Sequence, residues 1–188
     1  FMTSCPRTVH LGIFMARENP TFIDEMWTSP VPGAIYAEAI DRARGEGRVG
    51  KLPIDPTSLV HVVMDLGAPM QTVVWYFQIV GNYVRLIDMD MPNDETLFQR
   101  VARMKLKGYP WGSIYFPHDG RKQGYNGHTL ADEFLSHWKG QEVRRWDEIS
   151  FAQNNFRFIP RCDKVWTGIN KVLEIFPVME FCTPACRS

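Results

Sequence analysis

Hydrophobic and polar residues in the middle of the chain follow the pattern of a mixed sheet. Residues 59–65 (LVHVVMD) are almost continuously apolar, which is typical of a strand buried on both faces. Two further runs rich in β-branched and aromatic residues, 72–80 and 83–91, flank Gly81-Asn82, a pair that favours a hairpin. The pattern therefore predicts a meander of three antiparallel strands.

Apolar residues at helical spacing surround this meander. They predict a helix at 34–44 and another that begins at the caps 92–94 and ends at Gly108, with Lys105 and Lys107 in a last turn that suits the helix dipole. The predicted buried face of the second helix consists of Leu97, Phe98, Val101, Ala102, Met104 and Leu106.

The chain then returns as a strand at 111–119 (WGSIYFPHD). A strand reached through a helix normally lies parallel to its neighbour, so we expect Asp119 to lie beside Asp65. Further elements are predicted as a helix at 130–138, a strand at 155–160, a helix at 165–175 and a short piece at 178–181. This order is the ribonuclease H-like arrangement: an α/β fold with a mixed sheet, three antiparallel strands and then parallel strands, flanked by helices.

Composition restricts the possible classes of protein without indicating a specific function. The 188 residues are 45% hydrophobic, and 21 basic residues balance 21 acidic ones, so binding to a polyanion would need a local basic patch. No apolar run approaches the length of about 18 residues that a membrane span needs. The four cysteines show no disulfide spacing and Cys182 and Cys186 lack a second ligand pair for zinc, so we predict reduced thiols in a soluble intracellular protein.

The candidate chemistry lies at the ends of two predicted core strands, where Asp65 and Asp119 stand. Like charges brought together raise one pKa strongly unless a cation neutralises them, and a divalent metal is the simplest solution. Other roles remain open, because an aspartate before glycine also caps turns through its own backbone. His118 is either a metal ligand or a hydrogen-bonded structural residue. Asp88 and Asp90 are expected to serve the turn into the next helix, and Asp163 to cap the last one.

Five segments between about Val31 and Cys186 carry a family resemblance. They read VPGAIYAEAI, EGRVGKLPIDP, MDLGAPMQTVVWYFQIVGNYVRLID, KGYPWGSIYFPHDG and FIPRCDKVWTGINKVLEIFP. The DLG at Asp65 and the PHD at Asp119 are their specific parts. Together these segments resemble the nuclease domain of the large terminase subunit of tailed bacteriophages.

The resemblance implies a metal-dependent endonuclease that hydrolyses phosphodiester bonds of concatemeric double-stranded DNA during viral DNA packaging. Three acidic residues hold two Mg²⁺ or Mn²⁺ ions in this family, and Asp65 and Asp119 match two of them as catalytic metal ligands. The third is expected beyond Ser188, and Met70 stands where family members often carry an acidic residue. Weak metal binding and weak or absent cleavage are therefore expected.

The resemblance also implies partners. Arg121, Lys122 and His128 follow Asp119 and are predicted to contact DNA. The glycines Gly120, Gly124 and Gly127 are predicted to let backbone amides approach the phosphates as well. The chain has no GxxxxGK[ST] loop, so residues 1–30 are interpreted as a lead-in from a missing motor and 31–188 as the nuclease domain, apparently truncated at its C-terminus. The terminase ATPase domain, the small terminase subunit and the portal protein are the expected partners, and the host cell cytoplasm the expected location.

Two alternatives stay open. One is a non-catalytic ribonuclease H-like module that docks DNA or a portal protein. The other is a junction-resolving nuclease of the same superfamily, which would prefer branched over linear DNA.

Overall fold

The computed structural model describes residues 35–66, 72–90, 95–122, 127–140, 155–162 and 164–183. The chain divides into two units, Phe1–Gly47 and Arg48–Ser188. The first unit contributes one described helix, α1 (Ala37–Gly45), close to the predicted 34–44. The predicted boundary near residue 30 stays a prediction, because residues 1–34 lie outside the described part.

The second unit is built on one sheet of seven strands. In chain order these are β1 (Val49–Gly50), β2 (Val60–Asp65), β3 (Val73–Val80), β4 (Tyr83–Asp90), β5 (Trp111–Pro117), β6 (Phe156–Ile159) and β7 (Met179–Cys182). Their order across the sheet is β1-β7-β4-β3-β2-β5-β6. Strand β3 is antiparallel to both neighbours and every other pairing is parallel, so the carboxyl ends of six strands share one edge.

This topology confirms the predicted fold class. The β2-β3-β4 meander turns at Gly81, whose φ of 59° is the left-handed conformation that a tight hairpin requires. Strand β5 lies parallel to β2, as predicted for a strand reached through a helix. The two-residue strand β1, which pairs with β7, is an element that sequence periodicity did not predict.

Three further helices belong to this unit: α2 (Leu97–Leu106), α3 (Leu130–Lys139) and α4 (Val165–Ile175). Val60, Val62 and Met64 of β2 join a buried cluster with residues of α2 and α3. That cluster defines the core face of the sheet. Alternation along β2 turns His61, Val63 and Asp65 to the opposite face.

The start of α2 corrects a prediction. Thr96, rather than residues 92–94, is the N-cap: its hydroxyl accepts from the Gln99 amide at 3.3 Å, and the Gln99 side chain accepts from the Thr96 amide at 2.9 Å. This is a capping box. The predicted buried face is also wrong at Phe98 and Leu106, which are exposed, whereas Arg100 is buried with Val101 and Met104.

Two bulges shift the register of the sheet. Val60 and Val62 of β2 pair with Trp111 and Ile114 of β5, so β5 carries one extra residue. Between β3 and β4, Tyr76 pairs with Asp88 while the next residue, Phe77, pairs with Leu86, which leaves Ile87 as the extra residue of β4. Each bulge reverses the faces to which the following side chains of that strand point.

A buried glutamine fixes the entrance to β2. Gln78 of β3 is fully buried, and its amide nitrogen donates to the carbonyls of Asp55 and Ser58, both at 2.8 Å. Its side-chain oxygen accepts from the Asp55 amide at 2.9 Å. Every polar atom of this side chain is satisfied, so the turn before β2 is bound directly to β3.

Cys182, at the end of β7, corrects the prediction of reduced thiols, because it is disulfide-bonded. Its partner lies outside the described residues. Cys162 is a free, exposed thiol, as predicted. Among the described helices, none has the length and apolar character to cross a membrane.

Candidate metal centre

The two predicted ligands lie at the carboxyl ends of adjacent parallel strands. Asp65 is the last residue of β2, and Asp119 lies in a short 3-10 turn, His118–Arg121, directly after β5. Val63 pairs with Tyr115, so the same register carried forward sets Asp65 opposite Pro117. Asp119 follows Pro117 by two residues at the same edge of the sheet.

Gly120 allows the turn that carries Asp119 to pack closely against the ends of the strands. It is buried, and a Cβ at this position would lie 3.3 Å from Phe116, 3.5 Å from Leu66 and 3.5 Å from Phe158. Leu66 directly follows Asp65. The two chain segments that carry the aspartates are therefore packed against each other, and any side chain at position 120 would crowd that contact.

The expectation that Gly120 lets a backbone amide approach DNA stays a prediction, and the structure adds a packing role for this glycine. Its Cα is covered by the three side chains just named, so the missing side chain serves packing. Gly127, by contrast, is exposed with φ 78° and has open space where a Cβ would lie. The predicted Gly124 lies outside the described residues.

Asp119 has two basic neighbours on its own turn. Its Oδ1 lies 2.8 Å from His118 Nε2 and 3.2 Å from Lys122 Nζ. The Lys122 side chain is 77% exposed, so water screens this pair. Asp65 is exposed, and no ion pair within the described part of the chain involves it.

Asp88 and Asp90, at the end of β4, are surrounded differently. The bulge at Ile87 sets Asp88 opposite Tyr76, and Asp90 opposite Val74, on the core face where α2 lies. Lys107, the C-cap of α2, places its Nζ 2.6 Å from Asp88 Oδ2 and 3.2 Å from Asp90 Oδ1.

Further groups complete the surroundings of Asp90. The Tyr76 hydroxyl donates to Asp90 Oδ2, and Arg103 Nη2 lies 3.8 Å from the same oxygen. Burial, and then the charge of Asp90, raise the pKa of Tyr76, which keeps the phenol protonated as a donor. Asp88 and Asp90 therefore tie β4 to α2, which replaces the expectation that they serve the turn into that helix.

The cationic role of Lys107 is the part of this cluster that sequence reasoning missed. Its position in the last helical turn was explained by the helix dipole alone. The signal that identifies its partners is the bulge, because unbroken alternation along β4 would turn Asp88 and Asp90 away from α2.

The donor set at Asp65 and Asp119 is compatible with a hard divalent cation. Mg²⁺ in proteins is commonly held by one or two carboxylates together with water and substrate phosphates. Among the described residues, no group of three His, Cys, Asp or Glu side chains is arranged to hold a metal. Two carboxylates are thus what the described chain offers, and Asp163, the late acidic residue, lies outside that part.

The predicted DNA-contacting residues lie in and after the same turn. The Arg121 guanidinium packs over the ring of Phe158 at 4.3 Å, and Lys122 is paired with Asp119. His128 is half-buried, directly before Thr129, the N-cap of α3. Arg121 and Lys122 are exposed beside Asp119, whereas His128 is separated from them by residues outside the described part.

Known proteins were compared with the chain by sequence and by structure. No family model matches the sequence, and no curated protein matches it. Among solved structures, the chain is similar to the large terminase nuclease of thermophilic phage G20c with bound magnesium, with 16% identity, a TM-score of 0.45, and coverage of 82% of this chain and 76% of that one.

Two other solved structures are also similar. The P22 large terminase nuclease domain has 13% identity and a TM-score of 0.45, with coverage of 76% of this chain and 71% of that one. The large terminase of a second thermophilic bacteriophage, in complex with ATP-γ-S, has 13% identity and a TM-score of 0.48 over 81% of this chain, which spans 34% of that longer chain.

Proposed function

We propose that this chain is a metal-dependent endonuclease domain that hydrolyses phosphodiester bonds of double-stranded DNA in a viral packaging terminase. The observation that supports it most is the pair Asp65 and Asp119. They lie at adjacent carboxyl ends of parallel strands, on chain segments packed together through Gly120 and Leu66. Both acids reach the solvent at this end of the sheet, where a cation and a phosphate could approach them.

In this proposal Asp65 and Asp119 hold Mg²⁺ or Mn²⁺ as catalytic ligands in a two-ion site. Such ions supply charge stabilisation at the phosphate and a nucleophilic water at neutral pH. The aspartates act as ligands and leave proton transfer to water. His118 and Lys122 already contact Asp119 Oδ1, so they lie close enough to orient this carboxylate.

DNA binding is assigned to the side of the site that carries the 3-10 turn. Arg121 and Lys122 are exposed cations next to Asp119, and His128 directly precedes the N-cap of α3. Stacking on Phe158 holds the Arg121 guanidinium in place without neutralising its charge. Contacts of this kind fix a phosphate backbone in position and carry little sequence specificity.

The terminase ATPase domain, the small terminase subunit and the portal protein are the partners proposed with this function, and the host cell cytoplasm its location. These assignments come from the resemblance of the sequence motifs. They extend the proposal to the complete packaging machine, of which this domain would be the cutting part.

Replacing the two aspartates tests the proposal directly. We expect Mn²⁺ to raise the melting temperature of the wild-type chain, and Asp65→Asn and Asp119→Asn each to abolish most of that rise, because each removes a charged ligand. Nicking of supercoiled plasmid in Mn²⁺, which is expected to be weak in the wild type, should disappear in both variants.

Asp88→Asn is the matched control. It removes a carboxylate from the same edge of the sheet, but one that already has Lys107 as its cation. It should lower stability without Mn²⁺ and leave the rise produced by Mn²⁺ intact. A wild-type chain that neither responds to Mn²⁺ nor nicks plasmid would instead favour a docking module.

A junction-resolving nuclease is distinguished by substrate. Such an enzyme cleaves a four-way junction faster than linear duplex of the same sequence, whereas the proposed terminase nuclease needs no branch. Equal rates on the two substrates would exclude junction resolution.

A further inference from the structure

The bulge in β5 lies near the start of its pairing with β2, and the two aspartates follow at the carboxyl ends of these strands. Trp111 and Ile114 pair with Val60 and Val62, so β5 advances by three residues where β2 advances by two. Both Trp111 and Ile114 face the core, and the Trp111 ring lies 5.4 Å from that of Trp138. Two residues an odd number of positions apart can share a face only because the bulge intervenes.

The histidine opposite the bulge binds an amide within it. The Ser113 amide donates to Nδ1 of His61 at 3.0 Å. A bulged residue is left out of the ladder, and a buried amide without a partner costs about 1–3 kcal/mol. The imidazole of His61 thus acts as the acceptor that a neighbouring strand would otherwise provide.

The imidazole is held in place from two sides. Its ring stacks on Phe77 of β3 at 5.3 Å with an interplanar angle of 28°. On the other side it lies against Gly112, where an added Cβ would be 2.8 Å from both Cε1 and Nδ1. Gly112 is therefore the residue that leaves room for the ring, and His61, Gly112 and Ser113 form one unit.

The protonation state suits this role. Nδ1 can accept a hydrogen bond only when it carries no proton, so the neutral ring must have its proton on Nε2. Burial lowers the pKa of His61, which favours this neutral form at physiological pH.

We propose that His61 is a positioning residue for the candidate metal centre: by binding the Ser113 amide it holds the bulge that sets the β2–β5 register at Asp65 and Asp119. The effect of His61 on metal binding rests on the proposed function, whereas its effect on the strand register does not. Beyond the bulge Val63 pairs with Tyr115. Without the bulge the strands would slip by one residue, which moves one aspartate about 3.3 Å along the sheet relative to the other.

Two substitutions test the hydrogen-bond acceptor of His61 separately from the volume of its ring. His61→Asn places an amide oxygen where Nδ1 lies, and His61→Leu keeps an apolar side chain with no acceptor. We expect Mn²⁺ affinity, measured by titration calorimetry, to fall about tenfold or more in the leucine variant and to be largely kept in the asparagine variant. Phe77→Leu is the matched control, since it removes the stacking partner but leaves the hydrogen bond; it should lower stability and leave Mn²⁺ affinity within about twofold of wild type.

A metal-free measurement reports the register itself. Nuclear Overhauser contacts between backbone protons of Val63 and Tyr115 should persist in His61→Asn and be lost or shifted by one residue in His61→Leu. If the leucine variant does not fold, His61→Gln replaces it, because its amide lies at the position of Nε2 and leaves Ser113 without its acceptor.

The outcomes are distinct. The inference is supported if His61→Leu loses both the Val63–Tyr115 contacts and the affinity for Mn²⁺ while His61→Asn keeps them. A wild-type chain that binds no Mn²⁺ contradicts the proposed function, and the inference is then decided by the backbone contacts alone. A leucine or glutamine variant that keeps those contacts overturns it in either case.

Discussion

Two pairs of carboxylates lie at the same edge of one sheet in opposite surroundings. Asp88 and Asp90 face α2, and Lys107 and Arg103 bring cations to them. Asp65 lies on the other face, and Asp119 lies on a turn whose lysine is exposed. An acid that receives its cation from a packed helix belongs to the fold, whereas an acid open to the solvent retains the capacity to bind a cation from it.

The strongest test of this comparison removes the cation from each pair. Lys107→Met should lower the free energy of unfolding by about 3 kcal/mol, because the partly buried carboxylates of Asp88 and Asp90 both lose the ammonium group that they share. Lys122→Met should change it by less than about 0.5 kcal/mol, since that pair is exposed. Urea denaturation monitored by tryptophan fluorescence measures both.

Equal losses in the two methionine variants would show that the surroundings of the two pairs do not differ in energy. A small loss in both would mean that water reaches Asp88 and Asp90 as freely as it reaches Asp119. Either result removes the distinction between structural and available carboxylates.

The next largest effect concerns the strand that carries Asp119. Gly112→Ala should cost about 2 kcal/mol, because the new methyl group would collide with the His61 ring. Gly50→Ala on β1 is the matched control: nothing lies within 4 Å of its added Cβ, so its stability should stay close to wild type. Thermal unfolding of the two variants side by side gives the difference, and a fully tolerated Gly112→Ala contradicts the close packing of His61.

The smallest effect is a dependence on pH. The folded chain holds the His61 proton less tightly than the unfolded chain, because burial lowers the pKa of this group. Its contribution is therefore complete above the ordinary pKa of about 6.5 and is lost as pH falls from there towards the lowered pKa, since the unfolded chain takes up the proton first.

His61→Asn lacks this titration while retaining an acceptor. The stability of the wild type relative to this variant should therefore decrease as the pH falls from about 7.5 to about 5.5. Urea midpoints at several pH values measure it. If the two proteins give parallel curves of urea midpoint against pH, His61 is protonated equally easily in the folded and the unfolded wild-type chain.

Much of the fold follows from sequence periodicity. The apolar runs of β2, β3 and β4 and the helical spacing of α4 predict those elements within one or two residues of their observed bounds. The parallel placement of β5 beside β2 follows from the helix between them. These features are local or depend on connection rules, so a sequence alone contains them.

The features that the sequence analysis did not predict share a different cause. A bulge adds one residue without disturbing composition, so alternation does not reveal that Trp111 and Ile114 share a face or that Asp88 and Asp90 face α2. Phe98 and Leu106 fit a helical stripe, yet both side chains are exposed. The residues that define the surroundings of the acids therefore depend on tertiary register, which periodicity does not encode.

Strand β2 is held by two side chains of different chemistry. Near its start, the Gln78 amide binds the Asp55–Ser58 turn through backbone groups alone, and neither partner in those bonds titrates. Further along, the His61 bond to Ser113 exists only while Nδ1 is free of a proton. Acidification should consequently loosen β2 from β5 at the His61–Ser113 contact, while the turn before β2 stays anchored to β3 through Gln78, so that the two sides of one strand respond differently to pH.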